Sequence, residues 1–267
     1  MEKGIISFGQ HYLENVQMQE TLINSADLKK DDVVVEIGAG DGRITRLLGK
    51  KAKKVVAYEI DEKTKDVLVE LQKEQPNIEI VFQNFLEARN LEGNKLVSSL
   101  PYQITEPFLE KIKSFSQFER ITLLVGKTFG KFADENASQK ISKLYLLFRC
   151  YFKGEYICDV AKENFNPPPN TMSSIINIYP KAKEDLLSQP SLYVMREVFE
   201  QRDKKVSNAL REAIIRLFAQ QNVVKTKRET KQLLQENFSD EIIDNYLEQM
   251  NNDQIAILFA QIEKLFN

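Results

Sequence analysis

Between residues 33 and 125 the chain alternates short β-branched or apolar runs with segments whose apolar residues recur every three or four positions. The runs are Val33–Ile37, Val55–Glu59, Ile78–Phe82, Lys95–Ser99 and Ile121–Val125, and the periodic segments between them are Arg43–Lys50, Glu62–Glu74 and Ile104–Phe115. Val67, Leu68 and Leu71 make one apolar helix face, and Ile104, Phe108, Leu109 and Ile112 another. This alternation predicts an α/β fold, a parallel sheet covered by helices. Two further β-rich stretches, Lys143–Phe152 and Ser173–Tyr179, flank a loop containing Pro167-Pro168-Pro169 and are expected to pair as an antiparallel edge. After Pro180 the pattern is helical only: Leu192–Leu217, Lys227–Asn237, Glu241–Gln249 and Gln254–Phe266, with Ser239 and Asn252 or Asp253 as N-caps of the last two. The change of pattern predicts two domains, 1–182 and 183–267.

Composition narrows this picture by exclusion. A length of 267 residues suffices for a main domain and a smaller one, each with its own core. No apolar run approaches the ~20 residues of a spanning helix, and Met1-Glu2-Lys3-Gly4 lacks the features of a signal peptide. A soluble, cytoplasmic protein without a membrane partner is expected. With His11 the only histidine, and Cys150 and Cys158 the only cysteines, no disulfide framework, zinc site or histidine-based nucleophilic centre can be assembled. No metal is expected. Lys and Arg number 37 against 39 Asp and Glu, a net charge of −2, so any hold on nucleic acid has to be local.

Two constellations carry candidate chemistry. The strand Val33–Ile37 runs into Gly38-Ala39-Gly40-Asp41-Gly42, and a helix opens at Arg43. Glycines there remove the side chains that would keep a ligand from the backbone. The next strand ends Tyr58-Glu59-Ile60-Asp61, which puts a carboxylate about 20 residues beyond the glycines, where it can accept hydrogen bonds from both ribose hydroxyls. Glu36, just before the first glycine, would repel a pyrophosphate but tolerates a sulfonium or ammonium group. The second constellation, Ser99-Leu100-Pro101-Tyr102, lies just past the fourth strand, on the sheet edge where ligands of open α/β sheets bind. The exocyclic amine of adenine is a weak nucleophile because its lone pair is delocalised into the ring. Methylating it takes acceptors for its N–H groups and an aromatic face for the base. Ser99 Oγ and the Leu100 carbonyl are candidate acceptors, Tyr102 is the candidate face, and Pro101 stiffens the loop. An ordinary strand-to-helix turn with a buried tyrosine is the competing reading.

Five segments in order resemble one family: Gly9-Gln10-His11-Tyr12-Leu13, Glu36–Gly42, Glu59-Ile60-Asp61, Leu100-Pro101-Tyr102-Gln103-Ile104-Thr105, and Phe165-Asn166-Pro167-Pro168-Pro169 with Ser173 or Ser174 following. Their order and spacing are similar to those of the ribosomal RNA adenine dimethyltransferases, relatives of erythromycin-resistance methylases and of mitochondrial transcription factor B. The likeness extends to the basic segment Phe199–Leu210. It implies a Rossmann-like sheet that uses S-adenosylmethionine, with a small C-terminal helical domain that binds RNA. It also implies a monomer that methylates N6 of two adjacent adenines near the 3′ end of small-subunit rRNA in a pre-ribosomal particle. By the same resemblance, Gln10, His11 and Leu13 border the cofactor, Glu36, Gly38 and Gly40 belong to its turn, and Glu59 binds its ribose. Asn84 stands where an aspartate usually bonds the cofactor adenine, and Ser99 belongs to both the cofactor and the target site. Phe165 would sandwich a flipped adenine against Tyr102, and Arg202, Lys204 and Lys205 would bind RNA. Two departures stand out. Ser99 replaces the usual asparagine, and Val125–Gly130 lacks the Gln and Glu that commonly follow the fifth strand. An RNA-binding assembly factor with little activity therefore stays open beside the enzyme, whereas a nucleotide-dependent oxidoreductase has no use for the loop at Pro101.

Overall fold

The structure is a computed structural model, and it describes residues 11–266. Its first half runs β1 (Tyr12–Leu13), α1 (Val16–Ser25), β2 (Val33–Ile37), α2 (Arg43–Gly49), β3 (Lys54–Glu59), α3 (Lys65–Glu74), β4 (Ile78–Phe82), β5 (Lys95–Ser99), α4 (Thr105–Ile112) and β6 (Arg120–Gly126). There follow α5 (Lys127–Gly130), α6 (Lys143–Tyr151), β7 (Phe152–Val160), β8 (Phe165–Asn166) and β9 (Ser173–Pro180), then only helices: α7 (Pro190–Glu200), α8 (Val206–Gln220), α9 (Lys227–Asn237), α10 (Asp240–Ile243) and α11 (Asn252–Phe266). The main sheet has the order β4-β3-β2-β5-β6-β9-β7. Strands β2 to β6 pair in parallel, and β9 runs antiparallel to β6. All five parallel strands fall within one residue of the sequence expectation. They were legible because strands covered on both faces are nearly continuous runs of Val, Ile and Leu. From β2 the chain moves outward to β3 and β4, then returns on the other side of β2 as β5, so the topological switch point lies between β2 and β5.

Several sequence expectations are corrected. Lys143–Tyr151 is a helix, and the antiparallel edge strand is the next segment, Phe152–Val160. Leu144–Phe148 is apolar on every side, so its pattern has no period to separate strand from helix. Ser142, whose side chain accepts a hydrogen bond from the Tyr145 N–H, supplies the N-cap. The helix expected over Leu192–Leu217 is two, α7 and α8, parted by the five consecutive polar residues 201–205. The expected helix Glu241–Gln249 reduces to α10 and a 3-10 turn, Leu247–Gln249; Ser239 precedes α10 without a side-chain capping bond. The chain forms two compact units, Met1–Ala137 with Lys153–Pro180 and Ser138–Phe152 with Lys181–Asn267. The expected boundary after residue 182 thus misplaces 138–152, which belongs to the second unit because α6 is a helix of that unit and no sheet strand. Among the described residues no helix is long and apolar enough to cross a membrane.

The glycine turn is seated by packing as well as by dihedral angle. Gly42 has φ +80°, and a Cβ there would stand 2.9 Å from Leu71 Cδ2 and 3.1 Å from Leu68 Cδ2, both on the inner face of α3. Gly42→Ala is expected to lower the unfolding free energy by about 1–3 kcal/mol. The check is a lower denaturant midpoint at unchanged m-value; an unmoved midpoint would contradict this packing.

Candidate active site

The carboxyl ends of β2, β3 and β5 meet at the switch point. Gly38, Gly40 and Gly42 all have positive φ, so the backbone coils tightly from β2 into α2. The turn hangs from β3: the Gly38 N–H donates to the Tyr58 carbonyl at 2.9 Å, and the Gly40 N–H donates to Glu59 Oε2 at 2.7 Å. Glu59 Oε1 accepts from the Ile60 and Asp61 N–H groups, each at 2.8 Å. A carboxylate oxygen has two acceptor positions. Only Oε2 has one left, so Glu59 can take one further donor without releasing the turn, where the sequence reading gave it two. The ring of Tyr12 covers Gly40, where a Cβ would stand 3.0 Å from Tyr12 Cε1.

Glu36 is buried at the end of β2, and its Oε2 has no hydrogen-bond partner among the described residues. Burial pushes its carboxyl up to about 8; the Thr45 hydroxyl opposes the shift, and the negative charges of Glu59 and Asp41 add to it. Without a donor in a dry site the group keeps its proton at neutral pH, and only a cation or a donor from outside the chain would favour its ionised form.

The second constellation stands beside the first. A Cβ on Gly38 would lie 4.0 Å from the Ser99 carbonyl oxygen. Ser98 Oγ donates to the Ile37 carbonyl at 2.8 Å, and Ser99, the next residue of the strand, faces the other way. The Leu100 N–H donates to the Leu124 carbonyl at 2.9 Å, which carries the loop across the end of β6. Pro101 is exposed. Tyr102 is 37% exposed and therefore not a buried turn tyrosine. Its hydroxyl shares a 2.5 Å hydrogen bond with Ser173 Oγ, and its ring lies over Gly126, where a Cβ would be 3.4 Å from Tyr102 Cγ. Burial of the hydroxyl end raises the phenol pKa, and the Ser173 hydrogen bond works against it.

The profile of the ribosomal RNA adenine dimethylase family matches residues 1–248. The chain belongs to this family. It is 33% identical over 205 residues to the ribosomal RNA small subunit methyltransferase A of Thermotoga neapolitana, covering 76% of this chain and 78% of that protein. A probable ribosomal RNA small subunit methyltransferase A of Methanococcus maripaludis is 31% identical over 207 residues, with 76% and 77% covered. Among solved structures, a dimethyladenosine transferase from Plasmodium falciparum superposes with a TM-score of 0.63 at 22% identity, covering 96% of this chain and 98% of that one. The 23S rRNA methyltransferase ErmE gives 0.60 at 23% identity, with 94% and 99% covered. At such identities these two show the fold, a Rossmann-like methyltransferase sheet.

In this dimethylase the other expected site residues are placed unequally. Gln10 lies outside the described residues. His11 Nδ1 is 2.7 Å from the Pro167 carbonyl, which ties the first motif to the proline loop. Leu13 and Phe165 are core side chains at 2% and 6% exposure, in one cluster with Val160 and Ile175, so of the two expected stacking rings only Tyr102 is open. Asn84 caps the turn Phe85–Glu87: its Oδ1 accepts from the Leu86 N–H, and its Nδ2 donates to Glu87. Arg202, Lys204 and Lys205 are engaged by carboxylates of their own unit. Lys204 Nζ contacts both Glu212 oxygens at 3.0 Å, whereas Arg202–Glu248 at 3.5 Å and Lys205–Asp244 at 3.6 Å are looser. Where Gln and Glu are usual after the fifth strand, Lys127 pairs with Asp159 at 2.6 Å, and Ser174 Oγ donates to the same carboxylate. The support of Tyr102 by Ser173 was not read from the sequence. A glycine at the very end of a buried strand, Gly126, was the available signal of a close approach.

A pH dependence follows from Glu36. The native carboxyl keeps its proton to about pH 8, while the unfolded one releases it near 4.5, so between these values the folded state binds more protons and stability falls as pH rises. In ligand-free protein, Glu36→Gln is expected to remove a fall on the order of a few kcal/mol across that window. Thermal melts across the pH range decide this, and equal slopes for the two proteins would contradict the burial of an unpartnered carboxyl.

Proposed function

We propose that the protein transfers methyl groups from S-adenosylmethionine to N6 of two adjacent adenines near the 3′ end of small-subunit rRNA, acting as a cytoplasmic monomer on a pre-ribosomal particle. The observation that carries this reading is the meeting of the glycine turn with the Ser99–Tyr102 loop at the switch point, the Ser99 carbonyl 4.0 Å from where a Gly38 Cβ would be. Family membership points the same way, and the relatives named above are small-subunit methyltransferases.

The residues present fit the cofactor. The left-handed glycines leave the turn backbone open, Glu36 has a buried oxygen without a protein donor, and Glu59 Oε2 keeps one acceptor for a ribose hydroxyl. Asn84 retains one amide N–H for the adenine edge. When bound, S-adenosylmethionine supplies an electrophilic methyl on a sulfonium. Everything else falls to this chain. Tyr102, braced by Ser173 and Gly126, offers a fixed face on which an extruded base stacks. Ser99 Oγ and the Leu100 carbonyl accept from the N6 hydrogens, which turns the nitrogen lone pair away from the ring and stabilises the positive charge that develops there. The surplus proton leaves through these acceptors to water. Holding the base in line does most of the work, with no histidine or thiol required. The exposed pair of Lys205 with Asp244 is weak enough to be exchanged for RNA phosphates.

The test is transfer of labelled methyl from S-adenosylmethionine to unmethylated small subunits. Tyr102→Ala is expected to raise the half-saturating subunit concentration by about 5- to 150-fold, the equivalent of one lost stacking contact. Ser99→Ala is expected to lower kcat on the order of 100-fold, and Ser99→Asn to retain activity. No transfer by the unaltered protein, with cofactor and subunits both bound, would leave an assembly factor in place of an enzyme; an unchanged kcat in Ser99→Ala would remove the hydroxyl from the mechanism.

A further inference from the structure

The cofactor turn and the proline loop are joined by a ribbon of chain. Strand β1 pairs with β8 in antiparallel register, Tyr12 opposite Asn166 and Leu13 opposite Phe165. Beyond the pair, the Glu14 N–H donates to the Asn164 carbonyl at 2.8 Å, Asn166 Nδ2 donates to Glu14 Oε1 at 3.0 Å, and His11 reaches the Pro167 carbonyl. A two-stranded ribbon this short has no independent stability and depends on what it is docked against.

Its dock is the glycine turn, and the fastening is Arg43. Arg43 Nε and Nη2 grip both oxygens of Asp41, at 2.5 to 3.0 Å, while Nη1 donates to the Leu13 carbonyl at 3.1 Å. The guanidinium also stands 5.7 Å from the centre of the Tyr12 ring, the ring that covers Gly40. One planar fork thus holds a side chain of the turn, the backbone of the ribbon and the aromatic lid of the turn at once. A lysine, with a single point charge, can serve only one of these at a time.

We propose that Arg43 is a positioning residue that couples cofactor binding to capture of the target adenine. It locks the ribbon, and with it Phe165 and the proline loop, onto the glycine turn. A ligand seated in the turn gains the Tyr12 ring only when the ribbon is docked, so it favours the docked state, and that state presents the proline loop, with the Ser173 brace of Tyr102 that follows it, in register. The coupling is reciprocal, as linkage requires. This inference rests on the reading of the turn as the cofactor site and of the proline loop, which leads into Ser173 beneath Tyr102, as part of the base site.

The experiment measures the affinity of the full-length protein for unmethylated small subunits, with and without saturating S-adenosylhomocysteine, which fills the turn without reacting. The unaltered protein is expected to bind subunits at least about fivefold more tightly with the ligand present. In Arg43→Met, and equally in Arg43→Lys, that ratio is expected to fall to within about twofold of one while subunit binding without ligand persists. A general loss of structure would weaken both affinities and leave the ratio unmoved. A ratio of one in the unaltered protein, or an undiminished ratio in Arg43→Met, overturns the proposal. Should Arg43→Met no longer bind S-adenosylhomocysteine, Asn166→Ala decides, since it loosens the ribbon from its far side: a reduced ratio supports the coupling, and a full ratio overturns it. Failure of the unaltered protein to bind S-adenosylhomocysteine at all would overturn the functional reading beneath it, whereas binding of both ligands without coupling would overturn the coupling alone.

Discussion

The parallel pairing of β2 with β5 is the constraint on which the rest depends. It sets Ile37 opposite Ser98, two residues separated by sixty positions of chain, and the buried hydrogen bond from Ser98 Oγ to the Ile37 carbonyl holds the strand ends level. Both chains then leave the sheet at the same edge, one into the glycine turn and the other into Leu100-Pro101-Tyr102. Because β3 and β6 flank this pair, each supplies a brace: Glu59 holds the turn by the Gly40 N–H, and the Leu124 carbonyl and Gly126 hold the loop. A slip of one residue between β2 and β5 would turn every side chain of the pair to the wrong face and part the two halves of the site.

The edge so formed is acidic and partly dry. Two buried carboxyls sit at it, and they are treated differently. Glu59 is satisfied by three backbone N–H groups and serves as the anchor of the turn. Glu36 is left with an orphan oxygen and a raised pKa, so it stays protonated at neutral pH and costs stability when it ionises without a cation or donor beside it. That pattern suits a positively charged nucleoside and disfavours a pyrophosphate. In a chain of net charge −2, the pairs Arg202–Glu248 and Lys205–Asp244, at 3.5 and 3.6 Å, are looser than Lys204–Glu212 at 3.0 Å.

Much of this was legible in the sequence, for identifiable reasons. Strands buried on both faces show as apolar runs, glycines with positive φ cluster where the chain must coil, and a carboxylate one strand later marks the neighbouring edge. Lys143–Tyr151 was misread because an apolar run without a period leaves strand and helix equally open, and its deciding signal, the capping Ser142, stood just outside the run. What stayed hidden depends on contacts across long stretches of chain: Tyr102 with Ser173, Tyr12 over Gly40, and Arg43 bridging Asp41 to Leu13. Phe165 shows the limit of a motif, for its position was readable but its burial against Leu13 was not.

The most direct measurement is the identity of the product nucleoside. Unmethylated small subunits are incubated with the protein and S-adenosylmethionine, and their rRNA is digested to nucleosides and resolved by mass. The arrangement at the switch point predicts N6,N6-dimethyladenosine, formed from adenines near the 3′ end. Methyl groups found on ribose, on another base, or on no nucleoside while the cofactor is bound would contradict it.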